Sequence, residues 1–87
     1  MWQIYVLQCC DDSFYTGITD DLKGRILRHN AGRGAVYTKR RLPVKLIYVE
    51  AVESKTQALM REKEVKDFSR KNKLRLIKFG IGRRFAY

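Results

Sequence analysis

Cysteine, proline and histidine are scarce in this sequence of 87 residues, and each scarcity excludes something. The two cysteines, Cys9 and Cys10, are neighbours, and neighbouring cysteines rarely bridge. No disulfide framework can be built, which points to a reducing compartment and hence to the cytoplasm. One of the pair is expected in the core and the other at a strand end. Two thiols and the single His29 are also too few for a closed zinc site. No apolar run is long enough to cross a bilayer, and no signal-peptide pattern is visible, so a soluble intracellular protein is expected. Acidic residues are scarce as well: 9 Asp and Glu stand against 19 Lys and Arg, a net charge of +10. Such a chain attracts polyanions and repels its own copies, so a monomer with a nucleic-acid partner is expected. No segment is both strongly basic and cleanly amphipathic, which argues against a membrane surface as partner.

What is present suffices for one small core. Hydrophobic residues make up 45% of the chain. Residues 1–79 are expected to form one domain, with 80–87 a loose basic tail. Trp2 to Cys9 reads as a strand with apolar groups on both faces, which suits the middle of a sheet. Asp11 and Asp12 supply turn chemistry, and Ser13 to Ile18 returns as the second strand of a hairpin. A helix follows, capped by Thr19 or Asp20 and ended by Asn30 and Gly32. Residues 31–43 read as a loop. Val44 to Val52 is a third strand, rich in β-branched and aromatic residues. Ser54 and Gln57 form a capping-box signature that opens a helix running to about residue 70. A short helix is expected over Lys73 to Phe79. The fold class is therefore α/β of the α+β type, a three-stranded antiparallel sheet flanked by helices.

Two tyrosines ten residues apart, Tyr5 and Tyr15, sit in the short runs Gln3-Ile4-Tyr5 and Tyr15-Thr16-Gly17. A strand tyrosine is ordinarily a core residue; a catalytic one must lose a proton near neutral pH, against a reference pKa of about 10. Arg25 and His29 lie four apart and share a helix face. Arg25 offers a planar fork for phosphate oxygens, or a partner for Asp21. His29 could bond to a nucleophile or to the backbone. Glu62 falls at the centre of the apolar stripe of its helix, between Ala58 and Val65 on one side and Leu59 on the other. A carboxylate there must be paired, protonated or bound to a cation. A salt bridge to Lys66 is one outcome; a magnesium ion, which takes one or two carboxylates plus waters and phosphate oxygens, is the other. The loop carries Arg33, Lys39, Arg40 and Arg41 with Tyr37, a set suited to a nucleic-acid backbone or simply to solvent.

A geometric condition links the tyrosines. A tight two-residue turn at Asp11-Asp12 would set Tyr5 against Ile18 and send Tyr5 and Tyr15 to opposite faces. If both serve one site, the hairpin needs an odd-length loop or a bulge near residues 9–14.

These residues, in this order, resemble the GIY-YIG nuclease superfamily, and in particular its small stand-alone bacterial members. Gln3-Ile4-Tyr5 matches the first motif and Tyr15-Thr16-Gly17 the second. Arg25, His29 and Glu62 fall where the family has its arginine, a histidine or tyrosine, and its metal-binding glutamate. The resemblance spans roughly residues 2–78. It implies hydrolysis of phosphodiester bonds with one divalent ion, Mg²⁺ or Mn²⁺, held by Glu62. It implies that a motif tyrosine helps deprotonate the attacking water, directly or through a neighbour, and that Arg25 stabilises charge on the phosphate. Gln3 replaces the usual glycine, Thr16 the usual isoleucine or valine, and Ile18 a lysine of the excision-repair members. The separate DNA-binding domain of larger relatives has no counterpart in these residues. The function expected is a metal-dependent endonuclease acting on DNA, or on RNA, with low sequence preference. The alternatives are a non-catalytic nucleic-acid-binding module of the same fold, and an interaction domain whose protein partner supplies specificity.

Overall fold

A strand that is apolar on both faces must be covered on both, and β1 (Trp2–Gln8) takes the central place that condition demands. The computed structural model describes residues 1–79; the tail expected from Gly80 onward lies outside them. β1 pairs antiparallel with β2 (Phe14–Thr19) on one side and β3 (Lys45–Val52) on the other, giving the strand order β2-β1-β3. The helices are α1 (Leu22–Asn30), α2 (Val36–Lys39), α3 (Lys55–Asp67) and α4 (Arg70–Phe79).

The hairpin register decides where everything else goes. Tyr5 lies opposite Gly17 and Leu7 opposite Tyr15. The Cys9 N–H bonds to the Ser13 carbonyl, so the loop is Cys10-Asp11-Asp12, an odd length. Asp12 takes the left-handed conformation, φ 66°, that closes such a loop. Its type is tolerated there because a short polar side chain can bond locally; the Gln8 amide donates to its carboxylate. Tyr5 and Tyr15 therefore share a face. On the other side, a bulge opposite Val6 and Leu7 leaves Ile47 as the extra residue of β3.

Two cores follow from the two faces. One holds Tyr5, Leu7, Cys9, Leu46 and Val49 of the sheet region under Leu22 and Ile26 of α1. The other holds Val6 and Tyr48 under Val65 of α3, with Phe68, Leu76 and Ile77 packed against it. Cys9 is buried and Cys10 exposed, as their positions at the strand end suggest.

Several local expectations differ from the structure: α3 ends at Asp67 rather than near residue 70, and α4 begins at Arg70 rather than Lys73. The cap of α1 is Asp21, whose carboxylate accepts from the Gly24 N–H; Thr19 instead accepts from the Asp21 N–H. The loop at 31–43 contains the single turn α2, too short to show a period. Finally, Leu59 is not on the buried stripe of α3 but 48% exposed. It lies about 100° round from Ala58, the residue that meets the sheet. The Ser54–Gln57 capping box is formed in full.

Candidate active site

The site begins with a side chain that has nowhere else to go. Tyr5 is fully buried in the central strand, and its ring crosses β2 over Gly17. A Cβ on residue 17 would lie 2.5 Å from the Tyr5 hydroxyl oxygen and 3.1 Å from the Tyr15 ring. Glycine is needed here for close approach, which accounts for the third letter of the second motif.

The Tyr5 hydroxyl lies 3.0 Å from His29 Nε2, across 24 residues of sequence. His29 projects from the last turn of α1 and is wholly buried. Gly34 closes over its ring: a Cβ there would collide with Nδ1. That nitrogen is 2.7 Å from Thr38 Oγ1, and the Thr38 hydroxyl donates to the Ala35 carbonyl at 3.0 Å. A carbonyl can only accept, so the single hydroxyl proton of Thr38 is committed and its oxygen accepts from His29. His29 therefore carries its proton on Nδ1 and presents Nε2 as an acceptor, to which Tyr5 donates. Burial, and secondarily the charge of Arg25, hold the His29 pKa below the usual value of 6.5 and keep the ring neutral.

The Tyr5 phenol is pushed in the opposite direction to that of an easily ionised tyrosine. Burial raises its pKa above 10.0, against the lowering effect of its bond from Arg25; the charges of Tyr15 and Glu62 raise it further. Arg25 Nε stands 3.5 Å from the phenol oxygen, at the outer limit of a hydrogen bond. The phenol is thus a neutral donor, and a proton leaves it only if another arrives.

The rings form one assembly. Tyr15 meets Tyr5 at 6.4 Å and His29 at 5.2 Å between centroids, and Tyr37 stacks on Tyr15 at 6.1 Å and 28°. Arg41 lies 4.0 Å over the Tyr37 ring, donates to the Tyr37 carbonyl, and pairs with Asp11 at 3.0 Å. Its guanidinium is already engaged within the protein. Arg33, Lys39 and Arg40 are exposed, and none has an ion pair among the described residues.

Glu62 reaches the same assembly from the other helix. Ala58, Glu62 and Val65 fall at i, i+4 and i+7 on the inward side of α3, and the Glu62 carboxylate acts electrostatically on Tyr5. Its side chain is 19% exposed, while Lys66, 3.5 Å away, is 52% exposed. Of the two outcomes expected for this glutamate, the salt bridge to the i+4 lysine Lys66 is formed. Among the described residues no group of three His, Cys, Asp or Glu converges. A single, mostly buried carboxylate does not suit zinc, but it suits a hard cation that keeps its waters and shares phosphate oxygens.

Tyr5, Tyr15, Arg25 and His29 are thus gathered and Tyr37 joins them, while Glu62 acts on Tyr5 only through its charge. The sequence did not point to Thr38 or Gly34. A threonine in a basic loop reads as solvated, and no local pattern announces a buried partner nine residues upstream.

The chain is similar to known proteins in sequence and in fold. The family model described as the GIY-YIG catalytic domain matches residues 1–75. The UPF0213 protein of Staphylococcus saprophyticus is 52% identical over 77 residues, covering 88% of this chain and 94% of its own. That of Staphylococcus haemolyticus is 51% identical over 74 residues, covering 85% and 90%. The solution NMR structure of the UPF0213 protein of Bacillus halodurans superposes with a TM-score of 0.58 at 43% identity, covering 90% of this chain and 84% of that one.

Proposed function

The chain belongs to the GIY-YIG nuclease family, and from that premise we propose that residues 1–79 are a metal-dependent endonuclease unit hydrolysing phosphodiester bonds in DNA with little sequence preference. The observation that carries the reading is the Tyr5–His29 hydrogen bond with its fixed direction. A water beside the Tyr5 oxygen gives that oxygen a proton as its own oxygen bonds to phosphorus, and the phosphorus–oxygen bond on the far side breaks, the leaving nucleoside oxygen taking a proton from solvent. Tyr5 passes its own proton to His29 Nε2, and the imidazolium that forms keeps its other proton on Nδ1, donated to Thr38 Oγ1. No free phenolate is needed, which suits a phenol whose pKa burial has raised. Arg25, beside the phenol, is placed to neutralise charge growing on the phosphate oxygens. Tyr15 packs its ring against Tyr5 and His29 of the relay. A Mg²⁺ or Mn²⁺ ion, held by Glu62, would add Lewis-acid stabilisation of the phosphate and leaving oxygens. Arg33, Lys39 and Arg40 would hold the backbone away from the reacting centre, with Tyr37 as a plane steadied by Arg41.

The test is direct. Purified protein is incubated with single-stranded, duplex and branched DNA plus Mg²⁺ or Mn²⁺, beside the Glu62→Ala and Arg25→Ala variants. The proposal expects cleavage by the wild type, falling at least about a hundredfold in either variant. Binding without cleavage by any of the three would instead make the protein a nucleic-acid-binding module of nuclease fold.

A further inference from the structure

Arg25 faces two ways. It touches Tyr5, and it also lines a groove of about 710 Å³ that runs to Trp2 and Lys55. We propose that this groove is a subsite for one unpaired nucleotide next to the scissile phosphate, so that the substrate is single-stranded, flapped or branched rather than intact duplex. The inference uses the proposed reaction only to place the scissile phosphate at Arg25.

The groove's chemistry is that of a nucleotide. Trp2 is a half-buried indole at the start of β1. Lys55, the first residue of α3, places its ammonium 5.4 Å from the indole centroid. Arg28 is exposed one helical turn beyond Arg25 on the same face of α1. Neither Arg28 nor Lys55 forms an ion pair among the described residues. Lys55 covers one part of the indole, and an aromatic plane lining a groove with two cations that have no ion-pair partner among the described residues is the arrangement that stacks a base and holds its phosphates. Asp20 and Asp21 also line the groove, and Asp21 caps α1. Carboxylates repel phosphate but accept from base N–H groups, so the lining suits a whole nucleotide better than a bare anion. A paired, stacked base has no free face to give the indole. The occupant must therefore come from an unpaired strand.

Trp2 is the chain's single tryptophan, so its emission reports on this groove alone. Metal-free protein is titrated with an oligothymidylate of about eight nucleotides and with a blunt hairpin duplex, while anisotropy of the labelled DNA measures binding. The single strand is expected to quench Trp2 and to bind more tightly than the hairpin. Trp2→Ala should weaken single-strand binding roughly tenfold, and Trp2→Tyr should restore it. Arg28→Gln and Lys55→Gln should each weaken it several-fold. The proposal is overturned if the single strand fails to bind, if it binds with Trp2 emission unchanged, or if Trp2→Ala binds normally. Quenching without cleavage under added metal would defeat the nuclease reading and leave the subsite standing; cleavage with unresponsive Trp2 would do the reverse.

Discussion

A phenol surrounded by protein is a poor acid and an adequate relay. Tyr5 has its pKa raised by burial, so it cannot act by ionising ahead of the reaction. What makes it useful is the neutral imidazole behind it, and what makes that imidazole an acceptor is Thr38. The burial of His29 has a sign that can be measured. Its folded pKa lies below the ordinary 6.5, so the unfolded chain takes up a proton first as pH falls. Stability is intact above about 6.5, declines as pH drops below it, and stops declining from this cause once the folded pKa is passed. The proposed relay needs the neutral ring, so cleavage is expected to show an acid limb below 6.5, read from a pH–rate profile. Thr38→Val keeps the shape and removes the acceptor. It should cost about 1–3 kcal/mol in urea unfolding through an unpaired buried N–H. It should also abolish the Nδ1–H preference in ¹⁵N spectra of His29 and slow cleavage at least about tenfold. Thr38→Ser should keep both properties, and a fall in stability with unaltered His29 spectra would remove Thr38 from the relay.

Elements set the aim of these side chains. A three-residue hairpin loop puts Tyr5 and Tyr15 on one face, and a regular two-residue turn would have separated them. α3 must deliver Glu62 from the opposite layer, and its position is held at two points. Ser54 and Gln57 fix its start, and Arg61 binds Glu50 of β3 through contacts of 2.7 and 3.2 Å. Ser54→Ala removes one of these. It is expected to cost about 1 kcal/mol, which in a domain this size lowers Tm by about 4–8 °C in a thermal melt. Below the melting range, cleavage should stay within about twofold of wild type, because Arg61 still ties α3 to the sheet. A much larger loss would mean that the cap alone sets the position of Glu62.

For the whole molecule the dominant fact is charge. At +10, association with DNA should be driven largely by counterion release. Log affinity should then fall linearly with log salt, and each phosphate-binding cation removed should flatten the slope by about 0.7–0.9. Lys39→Gln and Arg40→Gln, at exposed cations with no ion pair among the described residues, are expected to do so in fluorescence anisotropy titrations. Arg41→Gln should leave the slope unchanged, because Asp11 and the Tyr37 ring already occupy its guanidinium. Flat salt dependence in the wild type would instead mark an interaction domain that recognises protein.

Much of this was written in local order. Residues two apart alternate across a strand and residues four apart share a helix face, so the three strands, α1 and the Ser54 start of α3 are visible in the chain. The central place of β1 follows from its two apolar faces, and the paired motifs, Arg25, His29 and Glu62 are recognisable as an ordered set. Which way the hydrogen bonds among them run was not. The direction of the Tyr5–His29 bond depends on Thr38, and Thr38 matters only because a four-residue turn and Gly34 enclose the imidazole. The engagement of Arg41 likewise rests on Asp11, thirty residues away. Periodicity reports which face a side chain occupies; hydrogen-bond direction and charge pairing depend on what folding brings opposite it, and only the assembled layers decide that.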